Sequence, residues 1–193
     1  HTPYQKQGHS CSCESYRRQK DPDFDCPNSG KHPRINDWQE KATTDPDQIR
    51  EWWKWWPTAN IGIACGPSGL LMVDRDTYKD FYKGQDLELD EETITAISGG
   101  GGGHLVYSAE PGDPFGNSTK GLPDGIDIRG QGGLFIVAPS MHLSGNCYQW
   151  EAGYSPWDID PAPIPPKLRE ILEARHTRKT AALNFDTSKK YNG

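Results

Sequence analysis

Apolar positions divide the chain into short elements of different period. In "TTDPDQIREWWKWWP", Ile49, Trp52, Trp53 and Trp56 fall at i, i+3, i+4 and i+7, one apolar stripe along a helix. Thr44 is placed to cap it, Asp47 stands three residues on, and Pro57 closes the far end. The stripe reads as core packing rather than a platform for stacked bases. "NIGIAC" and "GLLMVDRD" read as two strands, and the turn "GPSG" between them predicts an antiparallel hairpin with Asp74 at the end of its second strand. Residues 76–89 read as a short helix. A strand over Ile94–Ile97, a glycine run, the strand "HLVYSA", a polar loop over 110–124, the strands "GIDIRG" and "GLFIVAPS" and a short strand "CYQW" follow. Residues 161–166 are a proline-rich connector, and "KLREILEARH" is an amphipathic helix with Leu168, Ile171 and Leu172 on one side. Beyond about Thr177 the composition is that of a linker. Strands outnumber helices and most connections are short, so the expected fold is α+β around a mainly antiparallel sheet. One domain over 1–160 carries it, with connector, helix and tail over 161–193.

Composition narrows this picture. At 193 residues and 33% hydrophobic content the chain can bury one proper core. A formal net charge of -6 argues against coating nucleic acid by charge alone. Basic clusters at Arg17, Arg18 and Lys20, at Lys31 to Arg34, and along 175–190 confine any polyanion contact to patches. No stretch approaches the roughly 18 apolar residues of a membrane span, so the expected protein is soluble and cytoplasmic with no membrane partner. The chain opens at His1 without an initiator methionine, which reads as a processed, truncated or renumbered product. Five cysteines, odd in number and unevenly grouped, do not suggest a disulfide framework.

The acids carry the first chemical signal. Asp74 and Asp76 share one face of their strand while Arg75 points to the other. Carboxylates so close repel, and the pair needs a proton, a basic side chain or a divalent cation. Asp127, in "DGIDIRG", is a third acid in a β-like run, with Arg129 on its face. If the two strands are neighbours, three carboxylates converge, an arrangement that holds Mg²⁺ or Mn²⁺ for phosphoryl or nucleotidyl transfer. An acidic strand end running into solvent is the plain alternative.

Two further segments are chemically suggestive. Five glycines precede His104, and such a run lets backbone amides approach phosphate oxygens, although no Gly-Lys-Ser/Thr follows as in a Walker loop. Taken alone, this is equally a flexible loop beside a structural histidine. In "HSCSCESYRRQKDPDFDCPNSGKHPR", Cys11, Cys13, Cys26 and His32 are sufficient for a closed tetrahedral Zn²⁺ site in a segment with no apolar core, with His9 as a substitute ligand. The other reading is reduced, solvent-facing thiols. Cys65 and Cys147 read as small buried side chains.

The segments "GKHPR", "DWQEKATTDPDQIREWW", "PTANIGIACGPSGLLMVDRD", "SGGGGGHLVY", "GIDIRGQGGLFIVAPS" and "GNCYQWE", in that order over roughly Cys11 to Trp150, resemble the bifunctional primase-polymerase (prim-pol) domain of phage and plasmid replication proteins, part of the archaeo-eukaryotic primase superfamily. The resemblance implies an RRM-like catalytic sheet joined to a smaller N-terminal α/β module, with the active site between them. It implies that Asp74, Asp76 and Asp127 bind Mg²⁺ or Mn²⁺ and that His104 and Arg129 meet the incoming nucleotide through charge-assisted contacts, with Ser98 and Gly103 at the ends of the glycine run also binding it. Some members carry a Cys/His zinc cluster near the place of Cys11 to His32. The implied function is template-dependent nucleotidyl transfer in a phage- or plasmid-encoded protein, using a single-stranded DNA template and NTPs or dNTPs, with a helicase domain fused or associated downstream. The family's usual first strand and helix are not recognisable before His1, so primer extension is expected ahead of de novo initiation. A non-catalytic zinc-containing nucleic-acid module and a metal-dependent nuclease are the competing readings.

Overall fold

The structure is a computed structural model that describes residues 26, 28–89, 92–118 and 120–189, with the side chains of 85, 86 and 182–189 excepted. Seven strands form two sheets among these residues. β1 (Ile61–Ala64) pairs antiparallel with β6 (Leu134–Val137). The larger sheet has the order β5 (Ile126–Arg129), β2 (Leu70–Arg75), β4 (Gly103–Ser108), β3 (Ile94–Ile97), β7 (Gln149–Trp150), and every neighbouring pair is antiparallel. The fold is α+β with mostly antiparallel sheets.

Alternation along the strands gives the larger sheet two different faces. On one, Leu71 and Val73 of β2 join Leu105 and Tyr107 of β4 and Ile126 and Ile128 of β5. That face is covered by Leu87, Phe115, Ile164 and helix α2 (Pro166–Lys189), which inserts Leu168 and Leu172. On the other, Met72, Val106 and Ile94 pack against Phe135 and Val137 of the small sheet and against Cys65. This second face is apolar only at the Met72 end.

Several expectations change. The "GPSG" segment is a helical turn, Cys65–Ser68, ending at Gly69 with φ +62°, and β1 does not pair with β2. The larger sheet flanks β2 with β4 and β5 on both sides, so no edge remains for a hairpin partner. Residues 76–89 are turns followed by a single 3₁₀ turn, Gly84–Leu87, rather than a helix. Their N–H groups bond three residues back or across to the 124–125 turn, as Lys79 N–H to Asp76 O at 3.0 Å and Lys83 N–H to Asp124 O at 2.8 Å. An i→i−4 ladder never starts.

Helix α1 (Pro46–Trp55) is capped by Asp45 rather than Thr44, the Asp45 carboxylate accepting from Asp47 N–H at 3.0 Å. Pro46 takes the first helical position, where its missing N–H leaves nothing unpaired. Its tryptophan stripe turns toward the small sheet but does not join the core expected of it: no residue of the helix is buried. Ile49, Trp52, Trp53 and Trp56 look across a groove of about 470 Å³ at Leu134 and Ile136. α2 runs to Lys189, past the point where the composition turns linker-like. No helix among the described residues is long and apolar enough to cross a membrane.

Candidate active site

The second face of the larger sheet turns from apolar to acidic within one step of β2. Asp74 is in register with Asp127 of β5 on one side and with His104 of β4 on the other, and Met72, one position back on the same face, pairs with Arg129. Directly opposed residues in an antiparallel pair share a face. The condition set on the two acidic strands is met, since β2 and β5 are neighbours, and Asp74 sits between Asp127 and His104. Asp76 follows just beyond the strand, kept on the same face because its N–H donates to Gly125 O at 2.9 Å and so prolongs the β2–β5 ladder.

Asp74 and Asp76 converge over Gly102. A Cβ there would lie 3.0 Å from Asp76 Oδ1 and 3.4 Å from Asp74 Oδ1, so any larger residue would crowd the two oxygens. His104 Nε2 faces Asp74 Oδ1 at 3.8 Å, and Arg129 Nη2 faces Asp127 Oδ2 at 3.9 Å, both beyond hydrogen-bond distance. Among the described residues no three His, Cys, Asp or Glu side chains close around a single point. The acids form an open set.

A basic side chain meets one of the acids, and the other binds a proton more readily than an ordinary carboxyl. Burial, with the Asp76 and Asp127 carboxylates, pushes Asp74 up to about 6 against the pull of Lys31 and Arg129. Asp76 carries an ion pair to Lys79. His104, 6% exposed, is held down at about 4, chiefly by burial and then by the Lys31 and Arg129 charges. The Ile136 backbone pulls the other way, and Nδ1 meets no partner at hydrogen-bond geometry. His104 is thus neutral at pH 7, and only Arg129 of the expected pair brings a full positive charge.

The glycine run is a built turn. Ser98 N–H donates to Gly102 O at 2.8 Å, Gly101 N–H to Ser98 O at 2.9 Å, and Gly102 N–H to Ser98 Oγ at 3.0 Å. Ser98 therefore shapes the loop with its hydroxyl oxygen. Gly103 lies over the Arg75 side chain on the opposite face from the acids. A hairpin over 141–147 clamps the loop: Ser144 Oγ and Asn146 Nδ2 donate to Gly99 O at 2.6 and 3.2 Å. A Cβ on Gly99 would collide with His142 and with the Asn146 carbonyl. Glycine is needed there for close approach.

The bifunctional DNA primase/polymerase N-terminal family model matches residues 14–167, a span that contains every element of this site. The chain belongs to the Prim-Pol family. Membership assigns it a primase/polymerase-type nucleotidyltransferase role. Among curated proteins none matches the chain.

Sequence reasoning gave no site role to four residues that stand by these acids, Lys31 being read only as part of a basic cluster. Lys31 is close enough for its charge to act on Asp74, His104 and His142. Asn60 fixes the turn that carries it, donating from Nδ2 to Gly30 O at 3.1 Å and Met141 O at 2.8 Å and accepting from Met141 N–H at 3.0 Å. Gly30 itself has φ +82°. Tyr148 stands between His104 and His142, with ring centroids at 5.5 and 5.8 Å, and burial together with Asp74 pushes its phenol up to about 12. Periodicity reveals none of these. The one available signal was polar composition: a lysine between a glycine and a histidine, and an asparagine directly before a strand.

Of the zinc candidates, Cys26 Sγ and His32 Nε2 face each other at 3.5 Å. Cys11 and Cys13, like His9, lie outside the described residues. Cys65 is fully buried, and burial pushes its thiol up to about 12. Cys147 is only half-buried, with Sγ 3.8 Å from Met141 Sδ.

Proposed function

We propose that this Prim-Pol domain is a template-dependent nucleotidyltransferase that makes or extends primers from nucleoside triphosphates by two-metal catalysis, in a phage- or plasmid-encoded replication protein. The observation that carries the reading is the register of Asp74 against Asp127, with Asp76 beside them over Gly102. The donor chemistry suits Mg²⁺ or Mn²⁺: hard carboxylate oxygens on adjoining strands, with Asp74 raised by burial and by the Asp76 and Asp127 charges, a crowding that a cation would relieve. When bound, the two ions lower the pKa of the attacking 3′-hydroxyl and offset the charge of the triphosphate.

The chain's own groups supply the rest. Asp74 and Asp127 orient the reacting end from adjoining strands. Arg129 offers a guanidinium to phosphate oxygens, and neutral His104 offers one hydrogen bond from Nε2. Asp76, now paired with Lys79, would be the carboxylate to exchange that ammonium for a cation. The small sheet, with Phe135 and Tyr148, forms the dry wall behind His104. In this reading the larger sheet is the RRM-like core and the small sheet with α1 is the N-terminal module.

Primer extension on a labelled primer–template, with NTPs and dNTPs supplied separately in Mn²⁺, tests the reading. Elongated product is expected, abolished by Asp74→Asn and by Asp127→Asn in folded protein. Shortened product would replace the polymerase with a nuclease. A structural Zn²⁺ held by Cys11, Cys13, Cys26 and His32 is supported by the approach of Cys26 to His32 and by the soft donor set. About one zinc per chain by elemental analysis is expected, lost in Cys26→Ser.

A further inference from the structure

Nucleotidyl transfer needs a nucleic-acid strand to reach the carboxylates, so the rim of the acidic face is where its path must be sought. On the β4 side the glycine turn is closed over by the 141–147 hairpin. On the side where β2 ends, the segment 76–83 leaves the surface open. Its backbone is stitched down by Asp76 N–H to Gly125 O and Lys83 N–H to Asp124 O. Tyr82 packs inward against Gly125. Two other aromatic rings point out: Tyr78 is 56% exposed and Phe81 54% exposed. The Lys79 ammonium lies 5.7 Å from the Tyr78 ring centroid and 5.5 Å from that of Phe81. Lys83 stands at the end of the segment, paired with Asp124 at 3.2 Å and largely exposed.

Tyr78 and Phe81 are an exposed aromatic pair sharing the Lys79 ammonium, with Lys79 paired to Asp76 and Lys83 to Asp124. A single strand can use such a surface, bases stacking on the rings and phosphates competing with the acids for the lysines. The patch is also continuous with the acids: Tyr78 follows Asp76 by two residues, and its ring lies 3.8 Å from where a Gly101 Cβ would be. We propose that Tyr78 and Phe81, flanked by Lys79 and Lys83, are a stacking platform for single-stranded DNA, delivering the strand to the Asp74–Asp76 edge. The proposal rests on the nucleotidyltransferase reading for the direction of delivery, while the platform itself is testable without it.

The test is fluorescence anisotropy of a labelled single-stranded oligonucleotide with the full chain in chelator, over a salt series. Tyr78→Ala and Phe81→Ala should each weaken binding about tenfold, the loss of one stacked base. Phe81→Tyr and Tyr78→Phe should retain affinity, and Phe81→Leu, apolar but without a π-face, should not. Lys83→Gln should lower the slope of log affinity against log salt by about one, which the aromatic changes leave alone. Because both rings are exposed, all variants should melt with the parent. Wild-type protein that does not bind the oligonucleotide, unchanged affinity in both alanine variants, or full affinity in Phe81→Leu would overturn the platform. Asp74→Asn separates the two readings, since it should bind the strand as the parent does while losing extension. An unaffected platform with no extension in wild type sinks the enzyme reading alone.

Discussion

The two faces of the five-stranded sheet are built from the same strands and end differently. One is apolar over Leu71, Val73, Leu105, Tyr107, Ile126 and Ile128, is sealed by Leu168 and Leu172 of α2, and reaches Arg75 at the end of β2. The other begins apolar at Met72, Val106 and Ile94, beneath the small sheet, and becomes the partly exposed Asp74 and Asp127 where that cover thins, with His104 still buried against Phe135. Strand geometry alone cannot produce the difference, because alternation treats both faces alike. It lies in which residue follows Met72. A charged group placed under the cover would suffer the full penalty of burial, whereas one step further along it is partly wet and can exchange a proton, a lysine or a metal ion for that penalty.

The largest expected contrast comes from breaking the acidic end. Asp74→Asn should lower nucleotide incorporation on the order of 10³-fold or more, since it removes a charge aimed at the reacting centre. Its thermal midpoint in chelator should equal or exceed that of the parent, because a half-buried carboxylate crowded by Asp76 and Asp127 is gone. A clear drop in midpoint would make Asp74 a structural residue. Leu168→Ala breaks the sealed face instead. Leu168 is fully buried, and its truncation should cost about 2–5 kcal/mol, with turnover per folded molecule unchanged. Reduced turnover in fully folded Leu168→Ala protein would mean that the faces are coupled and the contrast is wrong.

Protonation sharpens the same contrast within the acidic end. Asp74 is raised to about 6 from an ordinary 3.8, so its contribution to stability is full at acid pH and is lost as pH rises through about 6. His104 is lowered to about 4 from 6.5, so its contribution is present above about 6.5 and is lost as pH falls through about 4. Between these limits the two oppose each other. Acidifying chelated protein from pH 6.5 to 4 should therefore destabilise Asp74→Asn more than the parent, by on the order of 2 kcal/mol. His104→Gln should shift the balance the other way. Parallel melting curves for all three proteins across that range would remove the opposition.

Much of this was legible in the chain because strands advertise themselves through apolar runs and two-residue alternation. β2 to β6 all lie where those patterns predict them, and the shared face of Asp74 and Asp76 follows from alternation alone. Partnership was not legible. β1 and β2 are separated by a turn signal, yet the helical turn at Cys65–Ser68 sends them to different sheets, and nothing local encodes that β2 must be flanked on both sides. The 76–89 segment failed for a related reason: the Asp76 and Lys83 N–H groups are taken by Gly125 and Asp124, some forty to fifty residues away in the chain, and the Lys79 and Tyr82 N–H groups close only three-residue turns between them. Lys31 and Asn60 stayed hidden because their role depends on hydrogen bonds to Gly30 and Met141, contacts that have no period.

The smallest effect separates the covers of the two faces. α2 is anchored through Leu168 and Leu172, whereas α1 buries no residue completely and meets the small sheet across a groove. A helix so lightly held depends more on its own ends, since the N–H groups of its first turn need partners and little packing compensates for their loss. Asp45 supplies one through its carboxylate, and the acid also lies favourably at the positive end of the helix dipole. Asp45→Ala should cost about 1 kcal/mol. Its signature should be local: amide exchange should accelerate across Pro46–Trp55 while β2, β4 and α2 remain protected at the parent's level. Acceleration spread evenly over both sheets would mean that α1 unfolds only with the whole domain. In that case the groove-facing tryptophans belong to the cooperative core, and the difference between the two covers is one of packing density rather than of stability.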